Sequence, residues 1–180
     1  MRILAISGSL RSASSNTAAL QAAALLAPAG VEIVLYTGLD NLPHFNPDLD
    51  TDQPPESVQA LRREIGRADG LLISSPEYAH GIAGALKNSL DWLVSSFEFA
   101  GKPVALINAS PRAVHAEAQL REILTTMAAR LIDGASIALP LLGRGGDAAG
   151  IAADPALSAQ LRTALAIFVD AIRAAKATAG

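Results

Sequence analysis

Arg2-Ile3-Leu4-Ala5-Ile6-Ser7-Gly8-Ser9-Leu10-Arg11-Ser12-Ala13-Ser14-Ser15-Asn16-Thr17 is the stretch whose reading decides the fold. From Ile3 to Ile6 it is unbroken apolar sequence, then it turns at once to Ser and Gly. A strand covered on both faces has this pattern, because in a parallel sheet no face is left for polar residues. A polar loop follows. Asn16 to Leu26 is then rich in alanine and leucine and reads as a helix, closed by Pro28 and Gly30.

The same strand-loop-helix unit recurs along the chain. Strands are expected at Val31–Tyr36, Gly70–Ser74, Pro103–Asn108 and Ser136–Leu139. Helices are expected at Glu56–Ala68, Gly84–Val94, Val114–Arg130 and Pro155–Lys176, each with an apolar stripe. The proline-rich stretch Asn41–Pro55 reads as a long loop. Five β-α repeats imply an α/β fold with a parallel sheet covered on both faces. Right-handed crossovers leave few topologies, and the expected one is a flavodoxin-like three-layer sandwich with a five-stranded sheet in order 2-1-3-4-5. Residues 1–180 are read as a single domain.

Composition narrows the function. With 180 residues the chain needs neither disulfide nor metal to stay folded. It contains no cysteine, which excludes thiol chemistry and fits a reducing cytoplasm. A net charge of −3 without any basic block argues against a nucleic-acid partner. No apolar stretch is expected to reach the roughly 20 residues of a membrane span. The short apolar start at Ile3–Ile6 is read as strand rather than as a signal-peptide core.

In doubly wound sheets ligands sit at the carboxyl ends of the strands, where strand order reverses. Here that point is the loop from Ser7 to Thr17. It offers serine hydroxyls, Arg11 and a helix N-terminus, and no acid occurs between Met1 and Val31. These are the parts of a phosphate cradle. An ordinary capped helix start would use several of the same residues, but Arg11 and the post-strand position favour phosphate. There is no Gly-Lys-Ser/Thr and no G-x-G-x-x-G, so a terminal monophosphate fits better than a pyrophosphate.

The loop after the third strand is Ser74-Ser75-Pro76-Glu77-Tyr78-Ala79-His80-Gly81-Ile82-Ala83-Gly84. Its free backbone groups could pair with the edge of a heterocycle, and Tyr78 could stack on it. A plain strand-to-helix connection reads equally well locally. The two loops, however, leave neighbouring strands at one sheet edge.

Together, Gly8 to Thr17 and Pro76 to Trp92 resemble the NADPH-dependent FMN reductase family. The second motif, Pro-Glu-Tyr-x-x-Gly-x-x-Gly-x-Leu-Lys-Asn-x-Leu-Asp-Trp, is long and specific. The resemblance runs from the first strand to about Arg130. It implies that Ser9, Arg11, Ser14, Asn16 and Thr17 hold the FMN phosphate, with Ser15 contributing backbone. It also implies that Pro76, Glu77, Tyr78, Ala79, His80 and Gly81 hold the isoalloxazine ring. Where the family often has Asn or another polar residue, this chain has Ala79. Ser110 resembles the position near the ring in the loop after the fourth strand, although Pro111 and Val114 replace a glycine-rich stretch. Arg112 could meet a nicotinamide dinucleotide phosphate, but a solvated arginine is the plainer reading.

Other residues read as structural. His44, His80 and His115 lack metal-ligand spacing, and no metal is expected. No G-x-S-x-G elbow is present. Asp48, Asp50 and Asp52 read as a solvated turn, and Lys87 and Asp91 as a helical pair. Trp92 reads as core or subunit interface, and Phe97 and Phe99 as exposed apolar residues of an oligomer contact.

The resemblance implies that hydride passes from NADPH or NADH to flavin N5 and then on to a small-molecule acceptor: a quinone, azo compound, metal oxyanion or free flavin. The flavin would carry the chemistry, so no side chain is expected to be catalytic. It further implies a homodimer or homotetramer. Two other readings stay open from sequence: an electron carrier without its own turnover, and a phosphate-binding domain that has lost flavin.

Overall fold

The structure is a computed structural model that describes residues 1–141 and 146–179. The strands are β1 (Arg2–Ser7), β2 (Glu32–Tyr36), β3 (Gly70–Ser74), β4 (Glu77–Tyr78), β5 (Gly81–Ile82), β6 (Pro103–Asn108), β7 (Arg130–Leu131) and β8 (Ile137–Ala138). The helices are α1 (Ser15–Leu25), α2 (Glu56–Arg67), α3 (Gly84–Asp91), α4 (Val114–Thr126), α5 (Ala148–Ala153) and α6 (Pro155–Ala179).

The main sheet is parallel, in the order β2-β1-β3-β6-β7, with β8 also paired to β6. This is the expected flavodoxin-like order with one correction. The fifth position is shared by two short strands rather than filled by one. β7 pairs with Pro103 and Val104 at the start of β6, while β8 pairs with Ile107 and Asn108 at its end. A 3₁₀ turn at Asp133–Ala135 separates them. Helix α4 therefore stops at Thr126, not Arg130.

Alternate residues of each strand face opposite layers. Ile3, Ala5, Leu72, Ala105 and Ile107 pack with α1, α5 and α6. Leu4, Ile6, Leu71, Ile73, Val104 and Leu106 pack with α2, α3 and α4. This two-sided burial explains why the strands read as unbroken apolar runs. By length and hydropathy Pro155–Ala177 could cross a membrane, contrary to the expectation from sequence. Its stripe of Leu157, Leu161, Leu165, Phe168 and Ile172 is instead packed into the core.

Two surface expectations are corrected. Phe97 is 97% exposed, but Phe99 is 1% exposed and belongs to the core. Asp50 is not a solvated turn residue: it bonds Arg62 at 2.8 Å and the Ser95 hydroxyl at 2.6 Å. Trp92 is wholly buried, and its indole N–H donates to the Pro43 carbonyl at 2.8 Å. Asn88 donates to the same carbonyl and accepts from the Phe45 amide, so the loop before α2 is tied to α3.

Candidate functional site

The loops that follow β1, β3 and β6 meet at one cleft of about 350 Å³, a volume within the usual range for small-molecule sites. The sheet order produces this meeting, because β1, β3 and β6 are consecutive neighbours. The β1 loop contributes Ser9, Arg11, Ser14, Ser15 and Asn16. The β3 loop contributes Pro76, Glu77 and Tyr78, and the β6 loop contributes Ser110. Thr17, Ala79, His80 and Gly81 do not line it. Thr17 points its hydroxyl at Ser7 Oγ, 2.8 Å away.

The first loop is held by its own side chains. The Ser9 amide donates to Ser7 Oγ at 3.3 Å, and the Arg11 amide donates to Ser9 Oγ at 3.4 Å. Ser14 caps α1 by accepting from the Thr17 amide at 3.4 Å. The amides of Ser15 and Asn16 come before the first intrahelical bond and so have no partner within the helix. The first turn of α1 holds no acid. Asn16 Oδ1 accepts from Ser74 Oγ at 2.8 Å, which pins the helix start to the end of β3. Gly8 lets the first and second loops approach: a Cβ there would lie 2.9 Å from Ser75 Oγ.

The second loop is a small antiparallel hairpin, not the open loop expected from sequence. Glu77 pairs with Ile82 and Tyr78 with Gly81. Ala79 and His80 form its turn, with φ of 49° and 59°. Two positive φ values in succession mark the hairpin turn that matches strand twist, a conformation usually given to Asn and Gly. Ala79 thus sits in a backbone conformation where Asn would be more at ease than alanine. The hairpin is clamped to α4. Glu77 Oε2 accepts from the Ala116 amide at 2.9 Å, and Gln119 Oε1 accepts from the Ile82 amide at 2.8 Å.

Sequence reading missed several parts of the cleft. Ser75, Ala109 and Ala113 line it, and so does Arg112, for which a solvated arginine was the plainer reading. Ser75 accepts from the Ala83 amide at 3.3 Å, closing the base of the hairpin. Its place between strand end and Pro76 was the available signal. The stacked pair His80–His115, from two different elements, had none. Among the described residues no group of three His, Asp or Glu side chains is placed to hold a metal ion.

The donor set fits a flavin mononucleotide. Hydroxyls, unpaired helix amides and a guanidinium gather at the β1 end, matching a phosphate dianion. The β3 end presents hairpin backbone and the Tyr78 ring beside them. Fold and site together define a flavodoxin-like α/β domain with a cleft suited to a phosphate-bearing flavin.

The comparisons with known proteins agree. The sequence profile of the NADPH-dependent FMN reductase family matches residues 1–142, and the chain belongs to that family. It is 44% identical over 112 residues to an NAD(P)H-dependent FMN reductase of Pseudomonas aeruginosa, an alignment covering 61% of this chain and 60% of that protein. It is 30% identical to a quinone reductase of Escherichia coli K12, covering 74% of each. Among solved structures, the flavoenzyme NAD(P)H:(acceptor) oxidoreductase FerB from Paracoccus denitrificans superposes with a TM-score of 0.83. The identity is 30%, with 96% of this chain and 97% of FerB covered.

Proposed function

We propose that residues 1–180 form one FMN-binding reductase domain that oxidises NAD(P)H and reduces a small acceptor, of which a quinone is the leading class. The observation that carries this reading is the convergence of three post-strand loops on one cleft, with a phosphate-type donor set at one end. Quinone reductase is the name borne by the Escherichia coli relative. Azo compounds, metal oxyanions and free flavin are the other acceptors within the same chemistry.

Ser9, Arg11, Ser14, Ser15 and Asn16 would hold the FMN phosphate, and Thr17 would brace them through Ser7. Pro76, Glu77 and Tyr78 would face the ring. Ala79, His80 and Gly81 would act from behind, by fixing the hairpin. Ser110 would close the side opposite the phosphate loop. Bound FMN supplies a two-electron store, so that NAD(P)H, a proton and a quinone give NAD(P)⁺ and a hydroquinone. The protein's own task is to anchor, to orient and to leave one face open. No acid-base side chain is required for that.

The reading places the protein in the cytoplasm, with neither nucleic acid nor membrane as partner. It also includes a homodimer or homotetramer, supported by Phe97 and Val94, which are exposed together just after α3. Light scattering across a concentration series tests the assembly, and a mass of one chain throughout would exclude it.

The functional test has two parts. Denatured protein should release FMN, not FAD. Flavin-loaded protein should then oxidise NAD(P)H in the presence of a quinone. Failure with every acceptor would leave an electron carrier. Failure to bind flavin at all would remove the reading.

A further inference from the structure

Two loops on the cleft are built alike. At the end of β1, Ser7 Oγ accepts from the Ser9 amide and Ser9 Oγ accepts from the Arg11 amide at 3.4 Å. At the end of β6, Asn108 Oδ1 accepts from the Ser110 amide at 2.9 Å and Ser110 Oγ accepts from the Arg112 amide at 3.4 Å. Both have a strand-end acceptor, then serine two residues on, then arginine two further on. Both arginines line the cleft.

FMN carries one phosphate, and Arg11 with the start of α1 accounts for it. Arg112 is left over. Among the described residues neither Arg11 nor Arg112 belongs to an ion pair. Among the described residues Glu77 is the one carboxylate on the cleft lining, and one of its oxygens is held by the Ala116 amide. The chain as a whole carries −3, yet this cleft presents two arginines against one acid. Such a local excess attracts an anion.

The sheet order decides where that anion lies. β3 separates β1 from β6, so the hairpin after β3 stands between the two arginine loops. Arg112 is therefore across the ring-binding hairpin from the phosphate loop. An anion there belongs to the second substrate. NADPH and NADH differ only by the 2′-phosphate, a dianion suited to a guanidinium fork. Resting on the FMN reductase reading above, we propose that Arg112 binds the 2′-phosphate of NADPH and is the residue that sets preference for NADPH over NADH. Ser110 positions it by accepting from its amide.

The test uses FMN-loaded wild type, Arg112→Ala and Arg112→Lys. Calorimetric titration with 2′,5′-ADP and with 5′-AMP reads the phosphate directly, without turnover. Wild type should bind 2′,5′-ADP about tenfold or more tightly than 5′-AMP, the scale of one charge-assisted hydrogen bond. Arg112→Ala should abolish that difference, and Arg112→Lys should keep part of it. With a neutral quinone as acceptor, the NADPH-to-NADH ratio of kcat/KM should fall by a similar factor in Arg112→Ala, through KM rather than kcat. Equal binding of the two nucleotides by wild type would overturn the proposal, as would full discrimination by Arg112→Ala. A matching rise in the FMN Kd would return Arg112 to the cofactor site. A change confined to the KM of a sulfonated quinone would give it to the acceptor. Each result overturns the NADPH assignment. Should the protein take no FMN, the reductase reading falls separately, and the same titration on the flavin-free chain still decides the 2′-phosphate site.

Discussion

The rings of His80 and His115 lie face to face, with centroids 4.2 Å apart and planes 24° from parallel. One belongs to the hairpin turn after β4, the other to the first turn of α4. With the Glu77–Ala116 and Gln119–Ile82 hydrogen bonds, the stack makes a third link between hairpin and helix. A turn of two non-glycine residues at positive φ persists because its surroundings hold it there.

The turn itself is therefore a place to gain stability. Ala79 has φ of 49°, a conformation that costs an alanine roughly 1 kcal/mol. Ala79→Asn should raise unfolding free energy by up to about 1 kcal/mol while leaving flavin affinity nearly unchanged. Urea denaturation at constant m-value measures this. A loss of stability would mean that the hairpin does not rest in this conformation.

Arg11 is expected to anchor the cofactor rather than take part in turnover. Arg11→Ala should weaken FMN binding by about 1.5–3 kcal/mol, the range for a hydrogen bond to a charged group. Flavin fluorescence quenching gives the Kd. At saturating FMN, kcat should change little. An unaltered Kd would count against the phosphate assignment.

Gly8 carries the closeness of the first two loops. Its amide donates to the Ser74 carbonyl at 2.8 Å, and an added Cβ would stand 2.9 Å from Ser75 Oγ and 3.2 Å from Leu86 Cβ. Gly8→Ala should cost about 1–3 kcal/mol of stability by overpacking, and should loosen FMN as the loops part. Thermal melts with and without added FMN report both effects. A variant with wild-type melting and affinity would show that Ser75 can swing aside freely.

Asp50 should mark the acid limb of stability. The Ser95 hydroxyl, followed by Arg62, holds its carboxyl below the usual carboxylate value of 3.8 despite the opposing effect of burial. A depressed folded pKa stabilises above the unfolded value and loses that contribution as pH falls through it toward the folded one. The Tm advantage of wild type over Asp50→Asn should therefore be constant above about pH 5 and shrink below about pH 4. A difference independent of pH across that window would refute the linkage.

Much of the fold was legible because the parallel strands are covered on both faces. Ile3–Ile6, Leu71–Ile73 and Val104–Ile107 could be only buried strand, and their spacing required helical crossovers. The fifth sheet position was less legible. Arg130–Leu131 and Ile137–Ala138 are too short for a periodic signal, and they are strands only because each half of β6 offers a free edge. Asp50 was misread for a related reason: its partners Arg62 and Ser95 lie 12 and 45 residues away. Phe99 was misread because nothing local tells it from Phe97.

The sequence by itself determined the layer order, the β1 loop as a cluster of phosphate-type donors, and the motif that places the chain in its family. These are properties of near neighbours in the chain, where residue type and spacing carry the physics. Tertiary structure alone decided which of those residues share a cleft. It turned Thr17 toward Ser7, drew Ala79, His80 and Gly81 into a clamped hairpin, and brought Arg112 to the lining. These outcomes depend on strand order and on contacts between distant segments, which bring residues face to face without leaving a pattern in the sequence around any one of them.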